Sequence, residues 1–536
     1  MRDLIVPGTE SLVSTATVAK EAETALNLRF RMRLKDVFAK RLRNEPEGTF
    51  EQALLDGPDT PSFLEIERSC VMAQISREDG VSWQAAGIII GEELRHLAMT
   101  IRQTKFEALL AQRNIALRDP FAVVRQEAVG HGGFHTGALG FTHPQFRWVY
   151  DCGSWRKRAI LRQRIFDFLD RARVYGRRKI DLLFLSHFDA DHVNGLEVLF
   201  AGTEGKPLDV DTVVAPYLDP IDRFASLGRA IAKDQCPPDL VDAVATPEDY
   251  FGDRGVRRLI LVKPDDDPGT PPGEGRPSPP PRPYIPRDKS NPLAVDAITA
   301  GGQFLTEDAR TMAGKLALYV VEPGLWFEAS SEKRWLDWIF VPHAYRWRFN
   351  RVHLADRIRK VVGVDPDHPQ FCASLVGMLR TRKGLNDVKR IYCGMDSNGT
   401  SLSLYAGPGY RGLERWSFTG RKPLGWLMTG DAPLNRQDAF REWKEAYLTL
   451  SEKVGRLMLP HHGAERNFNP ELFEFFASST PFLTVDKRDF DNEKRPPAAV
   501  RRKLPRALDA VTEQSDLVDV SGQQSADDLW NEVIHW

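Results

Sequence analysis

An α/β fold is expected from three features of this chain. The apolar run Leu182 to Leu185 stops at Ser186, and His187, Asp189, Asp191 and His192 then arrive within six residues. Extended runs (Trp148 to Tyr150, Ile180 to Leu185, Asp211 to Tyr217, Arg258 to Val262) alternate with helical patterns, the signature of strands covered by helices. Other extended runs also end in ionisable residues: Asp151, then Asp431, then His461-His462. In α/β folds ligands gather beyond the ends of strands, so these positions are the candidates for chemistry.

Along the chain, residues 1–118 read as a mostly helical extension. Ala19 to Ala39 and Gly91 to Leu117 carry apolar residues at three- and four-residue spacing, which suits a packing or partner-binding module. From Phe121 the texture changes to short strands with glycine turns. His131 and His135 flank a glycine pair. They read as polar residues on a tight turn in preference to metal ligands. Arg156 to Val174 is expected to be a helix with Ile160, Leu161, Ile165, Phe168 and Leu169 on its apolar stripe. A short helix is expected from Leu196 to Ala201. The proline-rich stretch 263–292 lacks backbone donors and reads as an exposed insertion. It lies within a longer insertion, about 200–395, that is expected to carry specificity. Trp326 to Lys360 interleaves aromatics with arginines, a composition that can stack on bases and pair with phosphates or form a packed lid. Ser401 to Tyr405, Gly425 to Thr429, Val454 to Leu459 and Phe482 to Val485 are expected strands. Gln437 to Ser451, Asn469 to Ala477 and Pro496 to Leu504 are expected helices. Residues 506–536 read as a peripheral acidic tail.

Bulk composition narrows the function class. The chain is 42% hydrophobic and 27% charged with a net charge of −1, so no chain-wide basic field advertises nucleic acid. Its five cysteines are scattered and form no CxxC pair, which argues against a disulfide framework and a thiolate zinc site. With no apolar span of about 20 residues and no signal-like start, a cytoplasmic location is expected.

Imidazole and carboxylate together suit zinc, manganese or iron(II). The candidates suffice for two ions sharing a nucleophile. A calcium loop at Asp189 to Phe200 fails because position twelve is Phe200, not an acid.

The motif His187-Phe-Asp189-Ala-Asp191-His192 resembles the HxHxDH signature of the metallo-β-lactamase superfamily. Asp at the third position and Gly195 after the last histidine make it similar to the soluble hydrolase domain of the ComEC-type DNA-uptake proteins. Further motifs follow in that group's order: Gly130-His131-Gly132-Gly133, Tyr150-Asp151-Cys152-Gly153, Asn398 to Leu402, Leu427 to Asp431, and Leu459 to Gly463. The resemblance spans about 122–505. It implies a four-layer αββα sandwich, with residues 119–505 as the hydrolase domain. It implies two divalent metal ions, zinc or manganese, with a one-metal site as the alternative. His187 and Asp189 would hold the first ion. Asp191, His192 and one of His461-His462 would hold the second, and Asp431 would bridge. His461 is favoured as ligand, leaving His462 to touch substrate or protonate a leaving group, with the reverse assignment open. Asp151 would orient ligands from behind, and Asp191 is counted among the catalytic residues. Two departures stand out. No separate histidine ligand can be placed, although His343, His353 and His368 are available. Arg495 also stands where the group has histidine, keeping a phosphate-binding cation but no neutral-pH proton donor.

The implied function is a metal-dependent hydrolase using a metal-bound hydroxide, favoured on a phosphodiester as nuclease or phosphodiesterase. Expected partners are accordingly a nucleic acid or a small phosphodiester, with a protein partner for the N-terminal helices and no membrane. The alternatives are a hydrolase of a small ester, lactone or thioester, and a non-catalytic regulatory or partner-binding module that retains the fold.

Overall fold

A computed structural model of the protein describes residues 121–140, 144–174, 178–202, 206–264, 295–299, 311–312, 316–321, 323–330, 335–345, 351–392, 400–409, 424–504 and 508–521, together with Ile90. The helical extension expected for 1–118 and the proline-rich stretch therefore lie, almost entirely, outside the described residues. The chain divides into two compact units, Met1–Ala116 with Ser525–Trp536, and Leu117–Gln524. The second holds everything that follows.

Its first sheet runs from β1 (Phe121–Gln126), β2 (His135–Gly140) and β3 (Pro144–Tyr150) into β4 (Lys179–Phe184), β5 (Asp209–Pro216) and β6 (Arg258–Val262). The second contains β7 (Val295–Thr299), and the first is completed by β8 (Thr311–Met312) and β9 (Leu316–Val321). The remaining strands are β10 (Leu325–Ser330), β11 (Trp335–Tyr345), β12 (Ser401–Pro408), β13 (Gly425–Met428), β14 (Val454–Met458), β15 (Thr480–Thr484), β16 (Asp509–Val511) and β17 (Leu517–Ser521). Among the described residues the nine-stranded sheet has the order β17-β1-β2-β3-β4-β5-β6-β9-β8, and the eight-stranded sheet β16-β15-β14-β13-β12-β11-β10-β7.

The apolar alternation of each strand builds the layers. Phe146, Trp148 and Tyr150 of β3, with Leu182 and Phe184 of β4, meet Trp338, Phe340, Trp426 and Met428 of the other sheet in the central core. Val149, Leu183 and Leu185 face outward, under helices that include Arg158–Val174, Pro220–Ala232 and Phe371–Leu379. On the second sheet Leu427, Leu457 and Leu459 face outward against Phe440 and Trp443 of the helix Gln437–Ala446. Helix, sheet, sheet and helix make the expected sandwich. A central strand covered on both faces is apolar on both faces, which is why Leu182 to Leu185 reads as an unbroken run.

Several boundaries differ from the sequence expectation. The supposed insertion of 200–395 is woven into the sandwich: it supplies β5, β6 and β9 to one sheet and β7, β10 and β11 to the other. Its helices Arg351–Val362, Phe371–Leu379 and Arg382–Tyr392 cover the first sheet through Leu354, Ile358, Leu375, Val388 and Ile391. The expected acidic tail joins both sheets as far as Ser521, since β17 pairs antiparallel with β1 and β16 pairs parallel with β15, and the residues after it lie outside the described ones. Asp516 fastens this end by accepting from the Ala128 amide at 2.6 Å and from Arg125 at 2.9 Å. The expected helices after Asn469 and Pro496 shrink to Leu472–Phe475 and Ala498–Arg501. The aromatic-arginine block is not a stacking surface where it is described. Trp338 and Phe340 are fully buried, and Arg351 is bound to Asp219 and Asp222.

Candidate metal centre

The strands β3 and β4 run parallel, as do β13, β14 and β15, so their C-terminal ends deliver Asp151, Ser186-His187, Asp431 and His461-His462. The loop after β4 lies against a glycine turn. The Cys152 amide donates to the His192 carbonyl at 2.7 Å, and the Gly133 amide to the Asp191 carbonyl at 3.1 Å. A Cβ on Gly153 would sit 2.4 Å from the Asp191 carbonyl carbon and 2.5 Å from the His192 nitrogen, so only glycine lets the two backbones touch. Asp151, His461 and His462 have φ of 59°, 48° and 54°. Left-handed backbone in residues with a side chain costs on the order of 1–3 kcal/mol each, and its clustering here marks a functional constraint.

The side chains behind the centre hold its imidazoles in place. Asp151 accepts from the Ser186 amide at 2.6 Å and the Ser186 hydroxyl at 2.7 Å, and its other contact is His192 Nδ1 at 2.7 Å. Ser186 Oγ also lies 2.8 Å from His187 Nδ1. His462 Nδ1 lies 2.9 Å from Thr484 Oγ1 and 3.0 Å from its carbonyl. With their Nδ1 atoms engaged, His187, His192 and His462 are left with Nε2 atoms that are buried and have no hydrogen-bond partner among the described residues, and Asp431 Oδ1 shares that state. Two trios of ligand atoms result among the described residues, His187 with His192 and Asp431, and His131 with Asp191 and His462. His192 Nε2 lies between them, 3.9 Å from Asp191 Oδ2 and 4.0 Å from Asp431 Oδ1. His462 Nε2 is 3.6 Å from Asp191 Oδ2. Buried donor-set atoms that find no protein partner yet converge from several strands fit a divalent cation.

The electrostatics agree. Burial opposes ionisation of Asp431, yet His461, His187, His192 and Arg229 hold its carboxyl well below the usual range. Burial likewise opposes the Asp191 charge, and His192, His462 and His131 hold it well below. His192 is driven down by burial, but Asp151, Asp191 and Asp431 outweigh this and push it up to about 10. A proton on His192 thus takes up the negative field that a metal ion would neutralise. His461 is pushed down to about 4, first by burial.

The geometry departs from three sequence expectations. Asp189, expected to hold a first ion with His187, belongs to neither trio: its Oδ2 lies 4.0 Å from His187 Nε2 and is also bound by Arg229 at 2.9 Å and Lys233 at 3.1 Å. His461, the favoured ligand, also stands outside both; its Nδ1 is 3.1 Å from Asn467 Oδ1 and 3.6 Å from Asp431 Oδ2. His131, expected only to decorate a turn, joins Asp191, its ring 3.9 Å from that of His462. None of His343, His353 and His368 supplies a further ligand: His343 packs near Tyr447, and the other two lie in the helix Arg351–Val362 and the turn before Phe371. His135 is buried against Trp426, with ring centroids 4.9 Å apart, and does not enter the centre. The arginine and lysine of the helix Pro220–Ala232 and its C-cap carry no sequence signal, since they look like ordinary polar residues of an amphipathic helix. Ser401 does match its motif position: the Asp431 amide donates to its hydroxyl at 3.1 Å.

Comparison with known families now bears on this geometry. Residues 141–270, which contain Asp151 and the His187 to His192 loop, match the Metallo-beta-lactamase superfamily. That match and the two-sheet sandwich together support a metallo-β-lactamase superfamily domain. Among solved structures the chain resembles the metallo-beta-lactamase fold protein YhfI from Bacillus subtilis, at 10% identity and TM-score 0.29 over 75% of this chain and 100% of that one. It also resembles unliganded yeast PDE1, at 10% identity and TM-score 0.32 over 75% of this chain and 99% of that one. No curated protein matches it. The metallo-β-lactamase fold suggests a metal-dependent hydrolase, and the described residues contain no helix long and apolar enough to cross a membrane.

Proposed function

We propose that this metallo-β-lactamase domain is a metal-dependent phosphodiesterase whose principal ion is held by Asp191, His192 and His462, with His131 beside them. The observation that carries the hydrolase reading is the convergence of the partnerless Nε2 atoms of His187, His192 and His462 on Asp191 and Asp431. A divalent ion bound there would polarise the scissile group and activate water. Asp151 and Thr484 fix the tautomers and ring planes of His192 and His462, so that the ligand nitrogens face inward before the ion arrives. His462 is therefore the ligand of the His461-His462 pair, and His461 rests on Asn467 and Asp431.

The choice of a phosphodiester rests on the surroundings of the centre. Lys233 lies 5.5 Å from the Trp155 ring centroid, and that ring is 6.0 Å from the ring of His131. Arg495 donates to the His461 carbonyl at 3.4 Å. Cations and one aromatic face beside the centre suit an anionic phosphoryl group carrying a ring. The ComEC-like order of motifs favours the same substrate class, a nucleic-acid strand or a small diester.

The test is hydrolysis of bis-p-nitrophenyl phosphate and of a labelled single-stranded oligonucleotide, with Mn²⁺ or Zn²⁺ added. Cleavage of either, abolished by Asp191→Ala, is expected. Turnover of p-nitrophenyl acetate with both diesters untouched would replace this reading by the ester hydrolase. Absence of metal binding would leave the partner-binding module.

A further inference from the structure

The metal-ligand trios differ in one respect that the family resemblance does not contain. A first ion of a two-metal centre would need Asp189 and Asp431 beside His187. In this protein those two carboxylates already share a cation. Arg229 Nη2 lies 2.9 Å from Asp189 Oδ2 and 3.6 Å from Asp431 Oδ2. That Asp431 oxygen is also the one 3.5 Å from His187 Nε2. The guanidinium and the imidazole thus converge on a single oxygen. We propose that Arg229 takes the place of the first metal ion, so that the centre binds one divalent ion, on the side of Asp191, His192 and His462.

Arg229 is suited to this by its position. It is only 4% exposed, in the last turn of the helix Pro220–Ala232. The helix Arg382–Tyr392 packs over that turn: a Cβ on Gly228 would meet the Tyr392 side chain at 3.1 Å. The guanidinium is thus held on a buried, packed turn of that helix. Asp189 is doubly committed, because Lys233 reaches the same oxygen at 3.1 Å. A divalent ion at His187 would have to displace two cations from Asp189 Oδ2, or use the other oxygen and sit against a guanidinium whose positive charge is permanent. The second trio meets no such obstacle. No ion pair to lysine or arginine is formed by Asp191 among the described residues, and its oxygen faces the Nε2 atoms of His192 and His462.

Its Nη1 is buried and makes no hydrogen bond among the described residues. Held against two carboxylates there, the guanidinium acts as the fixed positive charge that an ion would otherwise supply. The arginine supplies that charge permanently, with no dependence on metal supply.

This inference rests on the metal-dependent reading above, and the experiment separates the two. The full-length protein is loaded with excess Mn²⁺, dialysed and assayed for bound metal per chain by elemental analysis. One ion per chain is expected, with an electron paramagnetic resonance spectrum of uncoupled Mn²⁺. Arg229→Gln, which removes the charge at similar size, is expected to bind two, and Arg229→Lys to remain at one. Two ions in the wild-type protein, or an exchange-coupled spectrum, would overturn the role of Arg229 while leaving the metal-dependent reading intact. A folded Arg229→Gln protein that still binds one ion would overturn it as well. If that variant does not fold, the wild-type stoichiometry and spectrum decide. No bound metal in the wild-type protein would remove the metal-dependent reading, and this proposal with it.

Discussion

His135 offers a sharp quantitative test of which histidines belong to the centre. It is fully buried between the sheets, and neither ring nitrogen has a hydrogen-bond partner among the described residues. Burial pushes its imidazole down to about 3 from an ordinary 6.5. The folded state therefore refuses a proton that the unfolded chain accepts throughout that interval. Its contribution to stability is whole above pH 6.5 and is lost as pH falls toward 3. At about 1.4 kcal/mol per unit, the loss is about 2 kcal/mol at pH 5 and about 3 kcal/mol at pH 4. That is a large share of a typical stability of about 5–15 kcal/mol. The perturbation is His135→Phe, which keeps an aromatic ring against Trp426 and cannot take a proton. Urea unfolding of both proteins at pH 7, 5 and 4, with chelator present, gives the gap at each pH. Any repacking cost of the larger ring is common to all three values, and so are the other buried histidines. The gap should move in favour of the variant by about 2 kcal/mol between pH 7 and pH 5. Curves that stay parallel would refute the assignment of His135 as a buried neutral imidazole. The variant should also keep its metal affinity, and loss of metal would place His135 in the centre after all.

Two further predictions concern the centre itself. Asp151→Asn should weaken metal binding about 10- to 100-fold in a competition titration with a chromogenic chelator. The amide would donate to His192 Nδ1 and so put a proton on the Nε2 that must face the ion. Unchanged affinity would show that His192 is not a ligand. His462→Ala should lose most bound metal in elemental analysis, whereas His461→Ala should retain it; the opposite pattern would restore His461 as ligand.

Much of the site was legible along the chain because a strand buried on both faces can be read as an apolar run, and the residue types at its end are then exposed to view. Asp151, His187, Asp191, His192, Asp431 and the His461-His462 pair all stand at the ends of such runs. The edges of the domain were harder. Leu517 to Ser521 follows an acidic stretch, and nothing local shows that it closes the sheet against β1. The stretch after 200 looked like an insertion because its proline-rich segment interrupts it. Its flanking strands nevertheless carry the apolar faces that extend both sheets.

The sequence by itself determined the strand-end histidines and carboxylates and the glycines that let two turns touch, since both depend on residue type at short spacing. Only the tertiary structure decided how those side chains group. Asp189 and Asp191 are two residues apart, yet they face different partners. One meets Arg229 and Lys233 from a helix that β5 and its loop bring over the centre, and the other meets His131, His192 and His462. The partner of a carboxylate is set by what packs above it, and that lies some 40 residues away in the chain for Asp189, where spacing carries no information about contact.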